Sequence, residues 1–138
     1  MTRRIRTILA STVLAASLGT GVLATTPAYA GGQFSVSIAP GNADQDQLMR
    51  AGLGIYALVN GIQNGSITQN GSGNSGGLAQ NGWGNLGVVH QEGNGHNGTL
   101  SQNGNGNSYG LFQFGNGTNA HVQQNGHGGT GLGFIFGW

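Results

Sequence analysis

The chain has 138 residues, of which 30 are glycine, none is cysteine, and only four basic and three acidic side chains carry a formal charge. Lack of cysteine excludes a disulfide scaffold, a thiol nucleophile and a cysteine-based zinc site, and a net charge of +1 leaves no basic face for nucleic acid, which needs several phosphate-neutralising cations. With 15 Asn and 11 Gln beside the glycines the sequence is biased and repetitive, yet it lacks the charge excess that holds a disordered chain open.

Arg3, Arg4 and Arg6 precede an apolar stretch from Ile8 to Leu23, and Ala28-Tyr29-Ala30 comes after it as a small-x-small cleavage pattern. This is the layout of a secretory signal. A membrane anchor is the competing reading, but Thr12, Ser17, Gly19, Thr20 and Gly21 dilute a run that would need about 20 mostly apolar residues to span. Residues 1–30 are therefore read as a signal peptide, and the mature chain as secreted, with no stable membrane span. Cleavage removes three of the four arginines and leaves Arg50 against Asp44, Asp46 and Glu92, two net negative charges.

Residues 31–62 form a leader. Phe34 to Ile38 is a candidate strand. Gln45 to Val59 holds Leu48, Met49, Leu53, Ile55, Tyr56, Leu58 and Val59, with Asp44 as a candidate N-cap. A short helix is expected there despite Gly52 and Gly54, an extra strand being the alternative. The leader is either a targeting or end-capping segment or a cover packed over the first rung of the repeat domain.

Residues 63–138 are that repeat domain. Gln69, Gln80, Gln91, Gln102, Gln113 and Gln124 recur every eleven residues and open six arcs. Two residues after each Gln stands Gly71, Gly82, Gly93, Gly104, Gly115 or Gly126; four after stands Gly73, Gly84, Gly95, Gly106, Gly117 or Gly128. Leu58 to Thr68 reads as a decayed seventh copy. Nine after each Gln come Leu78, Val89, Leu100, Leu111 and Val122, and seven after come mostly small residues. Positions seven, nine and eleven share a parity, so in a strand they point to one face: small, aliphatic, Gln. The Gly-x-Gly pairs then supply turns that need positive φ, and helix is excluded because glycine loses about 1 kcal/mol per residue there.

A weaker period of 22 appears ten residues after each Gln, where Ala79, Ser101 and Gln123 alternate with His90, Phe112 and Phe134. Two arcs therefore make one rung. The fold class expected is all-β: a stacked strand–turn–strand β-solenoid of cross-β, amyloid type, with rungs about 4.8 Å apart and the short N-terminal segment, helical by preference, ahead of it. Identical residues then lie over one another, and the Gln columns, with Asn74, Asn85 and Asn107, become amide ladders. The stack is expected to be open at both ends, with no charged cap at its C-terminal one.

Gln-x-Gly-x-Gly-Asn followed by Gln eleven residues on, as in Gln69 to Gln80 and Gln102 to Gln113, resembles the curlin repeat of bacterial curli fibre subunits. The resemblance covers residues 69–138, and the chain departs from it where His96, Thr118 and Gly129 replace Asn and where Ala survives only at Ala120. It implies a secreted, extracellular structural subunit that self-assembles into an amyloid fibre at the cell surface, a curli-like fimbria serving adhesion and biofilm. It also implies other curlin-like subunits and an outer-membrane secretion machinery as partners.

Other readings fit less well. Acid–base catalysis needs positioned carboxylates or a base–nucleophile pair, and two of the three carboxylates lie in the leader, so no enzyme and no cofactor is expected. His90, His96, His121 and His127 fall in different columns, which favours surface or ladder positions over a metal site. A calcium solenoid would carry an Asp in a nine-residue period. Phe134 to Trp138 reads as a sticky final strand. The alternative function is a soluble solenoid that binds ice or glycan through a flat face.

Overall fold

The computed structural model describes residues 32–138; the signal peptide expected over residues 1–30, with its expected cleavage site, lies outside the described residues. The chain runs β1 (Gln33–Ile38), α1 (Ala43–Val59), β2 (Gly65–Asn70), β3 (Ser75–Asn81), β4 (Leu86–Asn94), β5 (Asn97–Asn103), β6 (Ser108–Asn116), β7 (Asn119–Asn125) and β8 (Thr130–Gly137). From β2 onward it coils, alternating between two sheets. The long sheet has the order β1-β8-β6-β4-β2 and the short sheet β3-β5-β7. Within the coil every pairing is parallel and keeps one register: Gln69 lies over Gln91, Gln91 over Gln113, Gln80 over Gln102, and Gln102 over Gln124. The chain is thus a β-solenoid with two eleven-residue arcs per rung, as the columns predict.

The turns arise from glycine. All twelve paired glycines have positive φ, between 89° and 124° for the first of each pair and between 62° and 71° for the second. At the first position there is no room for a side chain either. A Cβ on Gly71, Gly82, Gly93 or Gly104 would run into the carbonyl of Gly93, Gly104, Gly115 or Gly126, one rung on. Neighbouring turns therefore stack backbone on backbone.

Positions seven, nine and eleven face inward. Val89, Leu100 and Leu111 are wholly buried, Tyr109 and Ile135 nearly so, and Leu78, Ala120 and Val122 flank them. Burying each wholly enclosed aliphatic side chain contributes about 1.5–3 kcal/mol. Tyr109 is oversized for its column and takes the space vacated on β8, where a Cβ on Gly131 or Gly133 would meet its ring or hydroxyl at 2.6 and 3.0 Å.

The leader forms both a strand and a helix. The N-cap of α1 is Asn42, whose side chain accepts from the Gln45 N–H at 2.9 Å. Asp44, the expected cap, instead joins Asp46 in the first turn, where a carboxylate favours the helix dipole. Leu58 and Val59 close α1, so of the decayed seventh copy only the part within β2 stacks.

The leader covers the last rungs and not the first. Around the first rung the outer positions of the long sheet are Ser66, Thr68 and Asn70; at the other end they include Phe112, Leu132 and Phe134. The helix lays Leu53 and Tyr56 over those apolar side chains, with Tyr56 edge-on to Phe112 at 5.6 Å. Phe112 stacks on Phe134 and Phe114 on Phe136, at 5.1 and 5.3 Å.

One end also departs from expectation. Among the described residues no strand pairs with the outer edges of β2, β3 or β7, but β8 is covered by β1, antiparallel, with Phe34 opposite Phe136, Val36 opposite Phe134 and Ile38 opposite Leu132. Aligned apolar pairs of this kind are the unit of sheet stabilisation, and they explain why the last strand does not stay open.

Candidate functional site

The candidate site is the set of ladders and the edges on which they end. In the long sheet the side-chain amide of Gln69 donates to Gln91, and that of Gln91 to Gln113, each at 2.8 Å. In the short sheet Gln80 donates to Gln102 and Gln102 to Gln124, again at 2.8 Å. Four of the column amides also donate to a backbone carbonyl at or just before the start of the facing strand. Gln80 reaches Asn64, Gln91 reaches Ser75, Gln102 reaches Leu86 and Gln113 reaches Asn97, at 2.9–3.1 Å. Gln91, Gln102 and Gln113 have no exposed surface. A buried amide is tolerated when its donors and acceptor are matched, and stacking at one register matches them automatically. Above Gln113 the column ends at Ile135, and the amide turns to the Thr118 hydroxyl at 2.9 Å.

The Asn column pins the turns. Asn74, Asn85 and Asn107 donate to the carbonyls of Gly93, Gly104 and Gly126 at 2.8–3.0 Å, and accept from the backbone N–H groups of His96, Asn107 and Gly129 at 2.9–3.0 Å. His96, buried in the same column, does the same work with a ring. Its Nδ1 accepts from the Thr118 N–H at 3.3 Å and faces the Thr118 hydroxyl at 2.8 Å, while Nε2 lies 3.1 Å from the Glu92 carbonyl. The proton is accordingly assigned to Nε2. His90 is half-buried, and His121 and His127 are exposed. Among the described residues no three His, Asp or Glu side chains gather as a metal site, and no helix is long and apolar enough to cross a membrane.

Three contacts were not legible in the repeat. Arg50 on α1 donates to the carbonyls of Gly106, at 2.6 Å, and Gly128, and so ties two successive turns to the helix. Its Nε is paired with Asp46 at 2.8 Å, and that guanidinium holds the Asp46 carboxyl below its ordinary range. Gln33 of β1 reaches across to the short sheet, where it accepts from the Asn119 N–H at 2.8 Å and donates to the Asn119 carbonyl at 3.1 Å. Finally, Ser37 of β1 hydrogen-bonds the Tyr109 phenol, whose pKa burial pushes up. Recurrence at a fixed interval identified the ladders; these contacts join unlike segments far apart in the chain, for which sequence carries no period.

Chemically, the arrangement presents rows of main-chain N–H and C=O groups on β2, β3 and β7, next to ladders that stop in mid-sequence. Compared with protein-family models, with curated proteins and with solved structures, the chain matches none, so the functional reading rests on the columns and the edges.

Proposed function

We propose that this protein is a secreted structural subunit that assembles end to end into curlin-like extracellular fibres for adhesion and biofilm matrix. The observation that carries the reading is how the ladders end. Gln69 and Gln80 donate up the stack but lie exposed at the first rung, beside the unpaired edges of β2 and β3. The last rung of a second copy offers main-chain partners to both edges and, through Gln124 of β7, the amide that matches Gln69, while Ile135 of β8 comes against Gln80. Glu92 is the sole formal charge in the repeat block, so little repulsion opposes stacking. The curlin-like spacing supports the same conclusion, and with it other curlin-like subunits and an outer-membrane export machinery as partners. The test is fibre diffraction from the concentrated protein. A meridional reflection at about 4.8 Å, reached after a concentration-dependent lag, is expected; a protein that stays monomeric at every concentration rejects the reading.

One observation favours the alternative of a soluble solenoid that binds ice or glycan. Asn81, Asn103 and Asn125 stand in register on the short sheet, with Asn103 bonded to Asn125 at 3.2 Å. The neighbouring outer positions vary, from Gly77 to Thr99 to His121. Ice or glycan binding by a protein that shows no lag-phase assembly would select this reading.

A further inference from the structure

The coil gives four strands to the long sheet and three to the short one; the fifth strand of the long sheet is β1, which comes from the leader and runs antiparallel in an otherwise parallel sheet. A second copy continuing the coil beyond β8 would lay its β2 along the outer edge of β7, and then its β3 along the outer edge of β8. The first edge is unpaired among the described residues. The second is occupied by β1. While β1 is in place, an incoming copy cannot pair both strands of its first rung; once β1 leaves, both find an edge.

Resting on the fibre reading, we propose that the interface for a second copy at the last-rung end is the joint edge of β7 and β8, and that β1 masks it until it is released. The two ends of the molecule are then unlike. The first-rung end, β2 and β3, is uncovered from the start, whereas the last-rung end opens in a separate step.

The way β1 is held fits a removable strand. It is six residues long, none of its side chains is fully buried, and among the described residues its outer edge has no strand partner. Its extra ties are Gln33 to Asn119, Ser37 to Tyr109, and the Gly32 carbonyl accepting from the Trp138 N–H at 3.0 Å. The Gln33 amide gives β7 one donor and one acceptor, a side-chain substitute for the strand that is missing there. After release β1 would stay tethered to α1, which Arg50 holds to the turns at Gly106 and Gly128.

The test is a reversible lock. Val36 and Phe134 face each other across the antiparallel pair, at a spacing that suits a disulfide, and the chain has no other cysteine. Oxidised Val36→Cys/Phe134→Cys should not elongate, even when seeded, and reduction should restore growth. Added in small amounts to growing wild-type fibres, the oxidised form should bind by its open first rung and terminate them. Val36→Asp, which loosens β1 without a crosslink, should shorten the lag. If oxidised and reduced forms elongate equally, the mask is overturned while the fibre reading stands. If neither form, nor Val36→Asp, nor the wild type assembles, both are overturned.

Discussion

Gln91 donates to Gln113 across 2.8 Å, from one rung to the next, with both side chains wholly buried. Gln91 also accepts from Gln69 and donates to the Ser75 carbonyl, so one side chain joins three rungs' worth of polar groups. Gln91→Leu keeps the approximate volume and leaves the Gln113 oxygen unpaired. A loss of about 1–3 kcal/mol is expected for that orphaned group, read as a lower urea midpoint. The outward Asn103→Leu should stay within about 0.5 kcal/mol of the parent.

Three glycine-to-alanine changes should separate three effects. Gly52 lies in α1 with open space around its missing side chain, and Gly52→Ala should stabilise by about 0.5–1 kcal/mol. Gly126 also has open space, but its φ is 108°, so Gly126→Ala should cost about 1–2 kcal/mol from backbone strain. Gly104 combines φ of 119° with the Gly126 carbonyl in the way, and Gly104→Ala should cost the most. Thermal unfolding of the three variants fixes the order.

His96 takes over the duty of an asparagine. His96→Asn should therefore retain the stability of the parent, with its amide accepting from the Thr118 N–H. His96→Ala leaves that buried donor unmatched and should lose about 1–3 kcal/mol. A double comparison by chemical denaturation decides it: equal losses in both variants would mean that the ring is needed for packing and not for its hydrogen bonds.

Asp46 gives the fold an acid-sensitive contact. Arg50 lowers its pKa in the folded chain below the ordinary 3.8, so its contribution is full above that value and is lost as pH falls through the folded-state value. Opening of α1, monitored by amide exchange or limited proteolysis, should rise below about pH 4 before the solenoid itself unfolds. In Asp46→Asn that acid-dependent step should be absent.

Much of the fold was legible because stacking turns a structural rule into a spacing. Gln69 through Gln124 and the paired glycines each meet the same environment at every rung, so one physical requirement is written six times in the chain. The leader had no such redundancy. Asp44 and Asn42 are both competent caps, and α1 starts at Ala43, which puts Asn42 in the capping position and Asp44 inside the first turn. The fate of Phe34 to Ile38 depended on a partner strand about a hundred residues away, and local pattern could announce a strand without saying which edge it would cover. Arg50 was visible as the last positive charge but not as a clamp, because its partners are backbone carbonyls that every residue carries.

The coil from β2 to β8 has seven arcs, an odd number. In a filament that continues it, each copy starts on the side opposite to its predecessor, so neighbours are related by a half-turn about the axis and advance by three and a half rungs, about 17 Å. The Phe112–Phe134 and Phe114–Phe136 stacks would then break at every joint and resume on the far side, and the helices would stand out alternately left and right. Such a filament has a chequered flank, apolar and polar by turns, with a true axial period of about 34 Å and no continuous greasy stripe along which two filaments would zip together.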